Sequence, residues 1–118
     1  MSAQIIDGNA VAARLREEIA AEVAEMVKAG MARPGLAAVL VGENPASQVY
    51  VRMKRKACEK AGIESYGYTL PADTSQEDLE KLVKELNNDP KVNGILVQLP
   101  LPGHLDEERV LNSISIEK

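Results

Sequence analysis

Residues 35–45 read Gly-Leu-Ala-Ala-Val-Leu-Val-Gly-Glu-Asn-Pro and carry the strongest structural signal in the chain. Between its two glycines this run is apolar throughout, as expected of a strand buried on both faces of a parallel sheet. Asn44 and Pro45 then supply the residue types preferred at a helix N-cap and at the first helical position. This pattern predicts a buried strand followed by a helix from Pro45 to about Ala61, which Gly62 ends.

Helices and strands alternate along the rest of the chain. The predicted order is a helix over 8–30, a strand over 36–41, a helix over 45–61, a strand over 66–70, a helix that starts at a capping box over 74–77 and runs to 87, a strand over 94–99 and a short helix after 106. Such alternation is typical of a parallel sheet with helices on both faces and right-handed crossovers. We therefore expect a three-layer α/β/α fold, with the first strand central in a small parallel sheet.

Capping residues and an apolar stripe define the predicted helices. Asp7 and Asp106 are predicted N-caps, and Thr74 opens the capping box Thr-Ser-Gln-Glu. Pro90 prevents the third helix from continuing. The first helix is amphipathic, because apolar residues recur on it at spacings of three and four: Val11, Leu15, Ile19, Val23, Met26 and Val27.

Composition and charge exclude several classes of protein. The 118 residues suit one domain, and 45% hydrophobic with 27% charged residues is typical of a globular chain. A net charge of -4 disfavours a general nucleic-acid surface. Cys58 is the single cysteine and His104 the single histidine, so neither an internal disulfide nor a metal site is expected. No signal peptide or membrane span is recognisable, and we expect a cytoplasmic protein without membrane or nucleic-acid partners.

Polar residues on the second predicted helix suggest chemistry. Ser47, Tyr50 and Lys54 are spaced i, i+3 and i+7, which places them within a stripe about 60° wide. Tyr50 and Lys54 are four residues apart, so their side chains can meet and form a proton-transfer pair. A simpler interpretation is that residues 52–56, Arg-Met-Lys-Arg-Lys, form a solvated helix face, and composition alone favours it.

Gln98 is the second unusual polar residue. It lies at the end of an apolar strand, where a buried amide needs a hydrogen-bond partner, either backbone or a ligand. Ligands of open parallel sheets bind beyond the carboxyl ends of the strands, at the point where the strand order reverses. The segments 42–50 and 98–102 lie at that edge. Pro100 and Pro102 stiffen the second segment, which suits a fixed binding wall or a plain connection.

Two long motifs carry a resemblance to a known family. Residues 41–54, VGENPASQVYVRMK, and residues 93–102, NGILVQLPLP, resemble the two signatures of the bifunctional methylenetetrahydrofolate dehydrogenase/methenyltetrahydrofolate cyclohydrolase family. The likeness covers essentially the whole chain and corresponds to the N-terminal, substrate-binding half. It implies NADP-dependent oxidation of 5,10-methylenetetrahydrofolate and hydrolysis of 5,10-methenyltetrahydrofolate to 10-formyltetrahydrofolate, within one-carbon metabolism and purine biosynthesis.

The resemblance also implies roles for individual residues. Lys54 would be the catalytic lysine, needed above all for hydrolysis, with Tyr50 bordering the folate ring system and Gln98 tuning the lysine. Val97 and Leu99 would line the pterin pocket. The full set of expected substrate contacts is Tyr50, Val51, Arg52, Met53, Lys54, Val97, Gln98 and Leu99.

The same resemblance sets expectations about what lies outside residues 1–118. Relatives continue with an Asp-Val-Asp-Gly segment and a C-terminal NADP-binding Rossmann domain, both absent from this chain. NADP is therefore the expected cofactor of an intact enzyme, which would be a homodimer, and no cofactor is expected on this chain itself.

Two other functional interpretations compete with the enzyme hypothesis. One is a non-catalytic α/β module that binds a partner or oligomerises, in which Lys54 would be an ordinary solvated lysine. The other is a nucleic-acid binder that uses the basic residues within 52–60, which the net charge and the lack of interleaved aromatic residues disfavour.

Overall fold

The computed structural model describes residues 2–118 and contains four helices and three strands in that part of the chain. Their bounds are α1 Gly8–Lys28, β1 Gly35–Val41, α2 Pro45–Ala61, β2 Glu64–Leu70, α3 Gln76–Asn87, β3 Gly94–Val97 and α4 Glu107–Asn112. This order confirms the alternation predicted from the sequence. None of these helices is both long enough and apolar enough to cross a membrane.

The three strands form one parallel sheet in the order β2-β1-β3. β1 pairs with β2 along its whole length, from Gly35 opposite Glu64 to Val41 opposite Leu70. Its other edge pairs with β3 between Leu36 and Val39. The predicted central position of β1 is confirmed, and six of its seven residues are buried.

Alternate residues of β1 face two different helical layers. Ala37, Val39 and Val41 belong to the main core, whose other members come from α3, β3, α4 and the adjoining loops: Leu79, Val83, Leu86, Val92, Val97, Leu101, Leu105 and Val110. Ala38 and Leu40 are also buried and point to the opposite face, because side chains alternate along a strand. α2 packs on that face against β1 and β2, and α1 packs on α2. The three-layer α/β/α architecture is therefore confirmed.

The capping residues explain where the helices begin and end. Asp7 accepts hydrogen bonds from the backbone N–H groups of Asn9 and Ala10 and caps α1. The Asn44 side chain accepts the N–H of Ser47 at 3.1 Å at the start of α2. α2 ends at Gly62, whose φ of 78° is a left-handed conformation that favours glycine.

Several predicted boundaries were wrong by one or two residues. α1 ends at Lys28 and not at residue 30, and β2 starts at Glu64 and not at residue 66. The N-cap of α3 is Ser75, whose Oγ accepts the N–H of Asp78 at 3.1 Å, whereas the Thr74 hydroxyl donates to the carbonyl of Pro71 in the preceding turn. Because of this turn, the helix starts one residue later than the capping-box prediction. β3 ends at Val97 and not at residue 99, since the N–H of Gln98 makes the last bond to β1 and the chain then turns toward α2.

The apolar stripe of α1 is largely exposed. Val23 is the only residue of α1 that is buried. Val11, Leu15 and Ile19 are 38%, 49% and 43% exposed, although they lie on the same stripe. The amphipathic pattern was predicted correctly, but within residues 2–118 the helix buries only one end of its apolar face.

Candidate functional site

The segments that follow β1 and β3 meet at the carboxyl edge of the sheet, as predicted. Ser47, in the first turn of α2, is 1% exposed, and its Oγ donates to the Leu99 carbonyl at 3.4 Å. Its backbone N–H is held by the Asn44 cap, so the same residue fixes the helix start and contacts the loop after β3. This contact joins the two candidate segments into one crevice.

Lys54 lies on the face of α2 that turns toward the sheet. The buried residues Ser47, Cys58 and Ala61 define this face. Lys54 comes seven residues after Ser47 and four before Cys58, which places it on the same stripe, and it is half-buried. Its neighbour Arg52 is exposed, as is most of the basic run. The solvated-face interpretation therefore describes most of this run but not Lys54.

Gln98 fixes the position of the Lys54 ammonium. The Nζ of Lys54 donates to the Oε1 of Gln98 at 2.7 Å, while the Nε2 of Gln98 donates to the Leu99 carbonyl at 3.1 Å. The backbone N–H of Gln98 donates to the Val39 carbonyl at 2.9 Å. Because the amide nitrogen is engaged by a carbonyl, the amide oxygen faces the lysine. The polar amide at the strand end thus has both a backbone and a side-chain partner.

This arrangement presents a positioned amine at the crevice. An ammonium group carries three donors, and Gln98 occupies one of them, so two directions stay available for a ligand. A hydrogen bond from a charged donor is stronger and shorter than one between neutral groups, in keeping with the 2.7 Å separation. The amine can therefore donate hydrogen bonds to a ligand that carries acceptor atoms.

Exposed apolar side chains lie beside the amine. Tyr50 is 55% exposed and Met53 61% exposed, and both line a groove of about 650 Å³ together with Lys54. Leu99, on the loop after β3, is 39% exposed. Large apolar groups left open around a polar centre are the usual lining of a site for a planar organic ligand. The predicted neighbours Tyr50 and Lys54 therefore do share one surface.

The structure does not place every predicted contact at this surface. Val97 is 4% exposed and packs in the core with residues of α3. Val51 is half-buried and Arg52 is exposed on α2. The crevice thus brings together Tyr50, Lys54 and the loop residues Gln98 and Leu99, and the expected ligand contacts of the other side chains stay predictions.

Sequence reasoning missed the Leu99 carbonyl, on which two hydrogen bonds converge. Ser47 was predicted to share a stripe with Tyr50 and Lys54, but no contact between it and the loop after β3 was predicted. Its spacing of seven residues from Lys54 was the available signal, because both side chains then face the sheet. The carbonyl leaves no trace in the sequence, since every residue carries one.

Other reactive groups do not join the site. Burial raises the pKa of the Cys58 thiol, and the nearby Glu59 carboxylate raises it further, so this cysteine is a packed side chain and a poor nucleophile. The Nε2 of His104 lies 2.7 Å from the carbonyl of Thr74, a contact between two loops. Within residues 2–118 no group of three or more histidine, cysteine or acidic side chains is arranged to hold a metal ion.

Comparisons with known proteins identify the family to which the chain is similar. A family model described as tetrahydrofolate dehydrogenase/cyclohydrolase, catalytic domain, matches residues 6–118. The bifunctional protein FolD of Moorella thermoacetica is 57% identical over all 118 residues, which span 42% of that relative. The chain therefore covers less than half the length of the curated relatives it matches.

Solved structures give the same result. The bifunctional FolD enzyme of Campylobacter jejuni superposes with a TM-score of 0.92 at 45% identity, over 95% of this chain and 39% of that one. The Trypanosoma brucei enzyme, solved with NADP cofactor and an inhibitor, gives 0.90 at 42% identity, over 100% of this chain and 40% of that one. This chain thus belongs to the tetrahydrofolate dehydrogenase/cyclohydrolase family and carries the fold of its catalytic domain.

Proposed function

We propose that this chain supplies the folate site of an enzyme of one-carbon metabolism. That enzyme oxidises 5,10-methylenetetrahydrofolate with NADP and hydrolyses 5,10-methenyltetrahydrofolate to 10-formyltetrahydrofolate. The observation that carries the proposal is the 2.7 Å hydrogen bond from Lys54 to Gln98, which holds a half-buried amine at the crevice beside Tyr50. Family membership supports the same reaction, since the relatives are described as dehydrogenases and cyclohydrolases.

Hydrolysis is the step that these residues can serve directly. Water adds to the cationic methenyl carbon, and the bond from that carbon to N5 then breaks. The products are a formyl group on N10, a protonated N5 and one released proton. We assign the proton transfers to Lys54, whose Nζ relays a proton from the attacking water to N5. Gln98 keeps the amine in place for both transfers.

Tyr50 and Leu99 are assigned to binding the flat parts of the folate. Both side chains are exposed, Tyr50 on α2 and Leu99 on the loop after β3. The pterin would lie against Gln98 and Leu99, and the aminobenzoyl ring against Tyr50, where stacking adds to apolar burial. Val51, Arg52, Met53 and Val97 complete the proposed set, the buried Val97 by shaping the strand end beneath Gln98.

The NADP site is proposed to lie outside residues 2–118. The turn between β1 and α2 has a single glycine, Gly42, and lacks the spacing of a dinucleotide-binding loop. The start of α2 is already capped by Asn44, which occupies a backbone N–H group that a phosphate would use. These residues do not fit the cofactor. We propose that NADP binds to a C-terminal Rossmann domain, in keeping with the greater length of the relatives.

The proposal extends to the context of the protein. We propose that residues 1–118 act as the N-terminal substrate domain of a cytoplasmic homodimer that supplies one-carbon units for purine biosynthesis. A module that only oligomerises is the second candidate, favoured by the exposed stripe of Val11, Leu15 and Ile19. The half-buried, hydrogen-bonded Lys54 favours the enzyme, since a pure oligomerisation module predicts a solvated lysine.

The decisive experiment compares the chain with its Lys54→Ala variant. 5,10-Methenyltetrahydrofolate is titrated into each protein while NMR follows amide shifts and absorbance follows hydrolysis. We expect saturable shifts at Tyr50 and Gln98, and hydrolysis at least about 100-fold slower in the variant. Lys84→Ala, on the exposed face of α3, is the control and should behave as the wild type.

Two outcomes would contradict the proposed function. The folate site is refuted if the wild-type chain shows no saturable shift at millimolar ligand. The role of Lys54 is refuted if Lys54→Ala hydrolyses the ligand as fast as the wild type.

A further inference from the structure

The loop between β3 and α4 carries two residues of the candidate site, Gln98 and Leu99. At the start of this loop, Gln98 donates its backbone N–H to the Val39 carbonyl at 2.9 Å. Pro100 and Pro102 follow, and neither has a backbone N–H group to donate. Side chains therefore have to hold the later part of the loop in place.

His104 supplies one of these contacts. Its Nε2 lies 2.7 Å from the backbone carbonyl oxygen of Thr74, in the loop between β2 and α3. A carbonyl oxygen only accepts hydrogen bonds, so Nε2 carries the proton and donates it. The acceptor is itself held in place, because the N–H and the hydroxyl of Thr74 both donate to the Pro71 carbonyl, at 3.0 and 2.6 Å. His104 thus joins the loop after β3 to a closed turn after β2.

The segment that follows His104 is bound along α3. The Oε1 of Gln76 accepts the backbone N–H of Asp106 at 2.8 Å, and the carboxylate of Glu80 pairs with Arg109 at 3.0 Å. α3 is a firm support for this segment, because its apolar side chains are buried in the main core. Of these contacts, the one made by His104 is nearest in sequence to the candidate site.

The loops after all three strands lie close together at this edge of the sheet. A Cβ added to Gly42, in the turn after β1, would lie 3.6 Å from the Cβ of Ala72 and 3.9 Å from the Cγ of Pro102. Ala72 belongs to the loop after β2, and Pro102 belongs to the loop after β3. The loop after β3 is thus packed near the other two, and the His104 hydrogen bond joins it to one of them.

We infer that His104 is a positioning residue of the Lys54 site and acts through the loop that carries Gln98 and Leu99. The inference rests on the proposed function, which gives Lys54 its role in hydrolysis. Gln98 binds both the Nζ of Lys54, at 2.7 Å, and the Leu99 carbonyl, at 3.1 Å. Loss of the bond between His104 and Thr74 loosens the loop and with it both of these contacts. The amine of Lys54 is then held less firmly for proton transfer.

The test compares the wild-type chain with His104→Ala and with His104→Gln, whose side-chain amide keeps a donor within reach of the Thr74 carbonyl. NMR of the ligand-free proteins follows the side-chain amide of Gln98, and absorbance follows hydrolysis of saturating 5,10-methenyltetrahydrofolate. We expect His104→Ala to shift the Gln98 signals and to slow hydrolysis about fivefold, the effect of one exposed hydrogen bond. His104→Gln should restore the signals and bring the rate to within about twofold of the wild type.

Asn88→Ala is the matched control. The Nδ2 of Asn88 donates to the Lys84 carbonyl at 3.0 Å, so this substitution also removes an exposed hydrogen bond from a side chain to the backbone. Asn88 lies at the C-terminal end of α3 and has no contact with the loop after β3 through this bond. The Gln98 signals and the rate of hydrolysis should therefore stay as in the wild type.

The outcomes separate the role of His104 from the proposed function. Unchanged Gln98 signals or an unchanged rate in His104→Ala overturn the positioning role. A His104→Gln variant that behaves like His104→Ala also overturns it, because the hydrogen bond is then not the cause. These results leave the proposed function standing, since the wild type still hydrolyses the ligand. Failure of the wild type to hydrolyse it overturns the proposed function and the role of His104 together.

Discussion

At the scale of single residues, Gly35 shows how closely the start of β1 is packed. A Cβ at this position would lie 2.1 Å from the carbonyl oxygen of Lys91 and 2.7 Å from the ring of Tyr66. The carbonyl is backbone, so relief requires movement of the loop before β3. A glycine is needed at position 35 because the Lys91 carbonyl and the Tyr66 ring lie so close to it, and not because the chain turns there.

We predict that Gly35→Ala lowers the free energy of unfolding by about 2–3 kcal/mol, as overpacking in a tight interior does. Urea unfolding followed by circular dichroism measures it. Gly103→Ala is the control, because a Cβ there meets nothing within 4 Å, and it should change stability by less than about 0.5 kcal/mol. Equally small changes in the free energy of unfolding for both substitutions would show that the loop around Lys91 moves at little energetic cost.

Residue types predicted part of the candidate site but not the hydrogen bonds that connect its members. Lys54 and Gln98 stood out because a lysine on a helix stripe and an amide on an apolar strand break the local pattern. Their mutual hydrogen bond, over 44 positions, depends on which strand edges meet and how far each side chain reaches. The Leu99 carbonyl, which receives Gln98 and Ser47, could not be inferred from residue types at all.

At the scale of helices and strands, the start of α3 is a position where the sequence pattern and the structure select different N-cap residues. The sequence offers two adjacent hydroxyl residues, and the structure uses Ser75 as the cap and Thr74 in the preceding turn. The capping-box pattern selects Thr74, which has Glu77 three residues later, whereas Ser75 is followed at that spacing by Asp78. The geometry of the turn after Pro71 decides the outcome.

We predict that Ser75→Ala removes about 1 kcal/mol of stability and speeds hydrogen exchange at the amide of Asp78, whose partner it deletes. Ser75→Asp keeps an acceptor at the cap and should restore both. Thr74→Ala should leave the Asp78 amide protected. Loss of that protection in Thr74→Ala, with Ser75→Ala unaffected, would assign the cap to Thr74 after all.

Other element boundaries followed from the sequence because their causes are local. Asp7, Asn44 and Gly62 act within three or four residues of themselves, so the start of α1 and both ends of α2 could be predicted. The end of β3 was predicted two residues too late. β1 continues to Val41, but Pro100, the next residue in register to donate to it, has no backbone N–H. Val39 accepts the last such bond, from Gln98.

At the scale of the whole molecule, the chain is flatter than a compact domain. Its radius of gyration is 16.7 Å, against about 13.5 Å expected for a compact chain of this length. Its extents are 51 × 45 × 23 Å. α1 contributes to this shape, because it packs on α2 at the outside of the three layers and buries only Val23.

This arrangement predicts that α1 is less stable than α3 within the folded chain. α1 has 21 residues and is rich in alanine, so intrinsic propensity and length both favour it over the 12 residues of α3. Packing favours α3, in which Leu79, Val83 and Leu86 are all buried. Tertiary packing usually contributes more than propensity, and regions with few buried contacts open first.

Hydrogen exchange measured at low protein concentration tests whether tertiary packing or helix propensity decides the relative stability of α1 and α3. We expect the amides of α1 to exchange through a local opening of lower free energy than those of α3 and β1. Ile19→Ala, on the exposed stripe, should change the protection of α1 little, whereas Val23→Ala should abolish most of it. Protection of α1 that equals that of α3 and grows with protein concentration would show instead that the stripe is covered by a second copy, the outcome that an oligomerisation module requires.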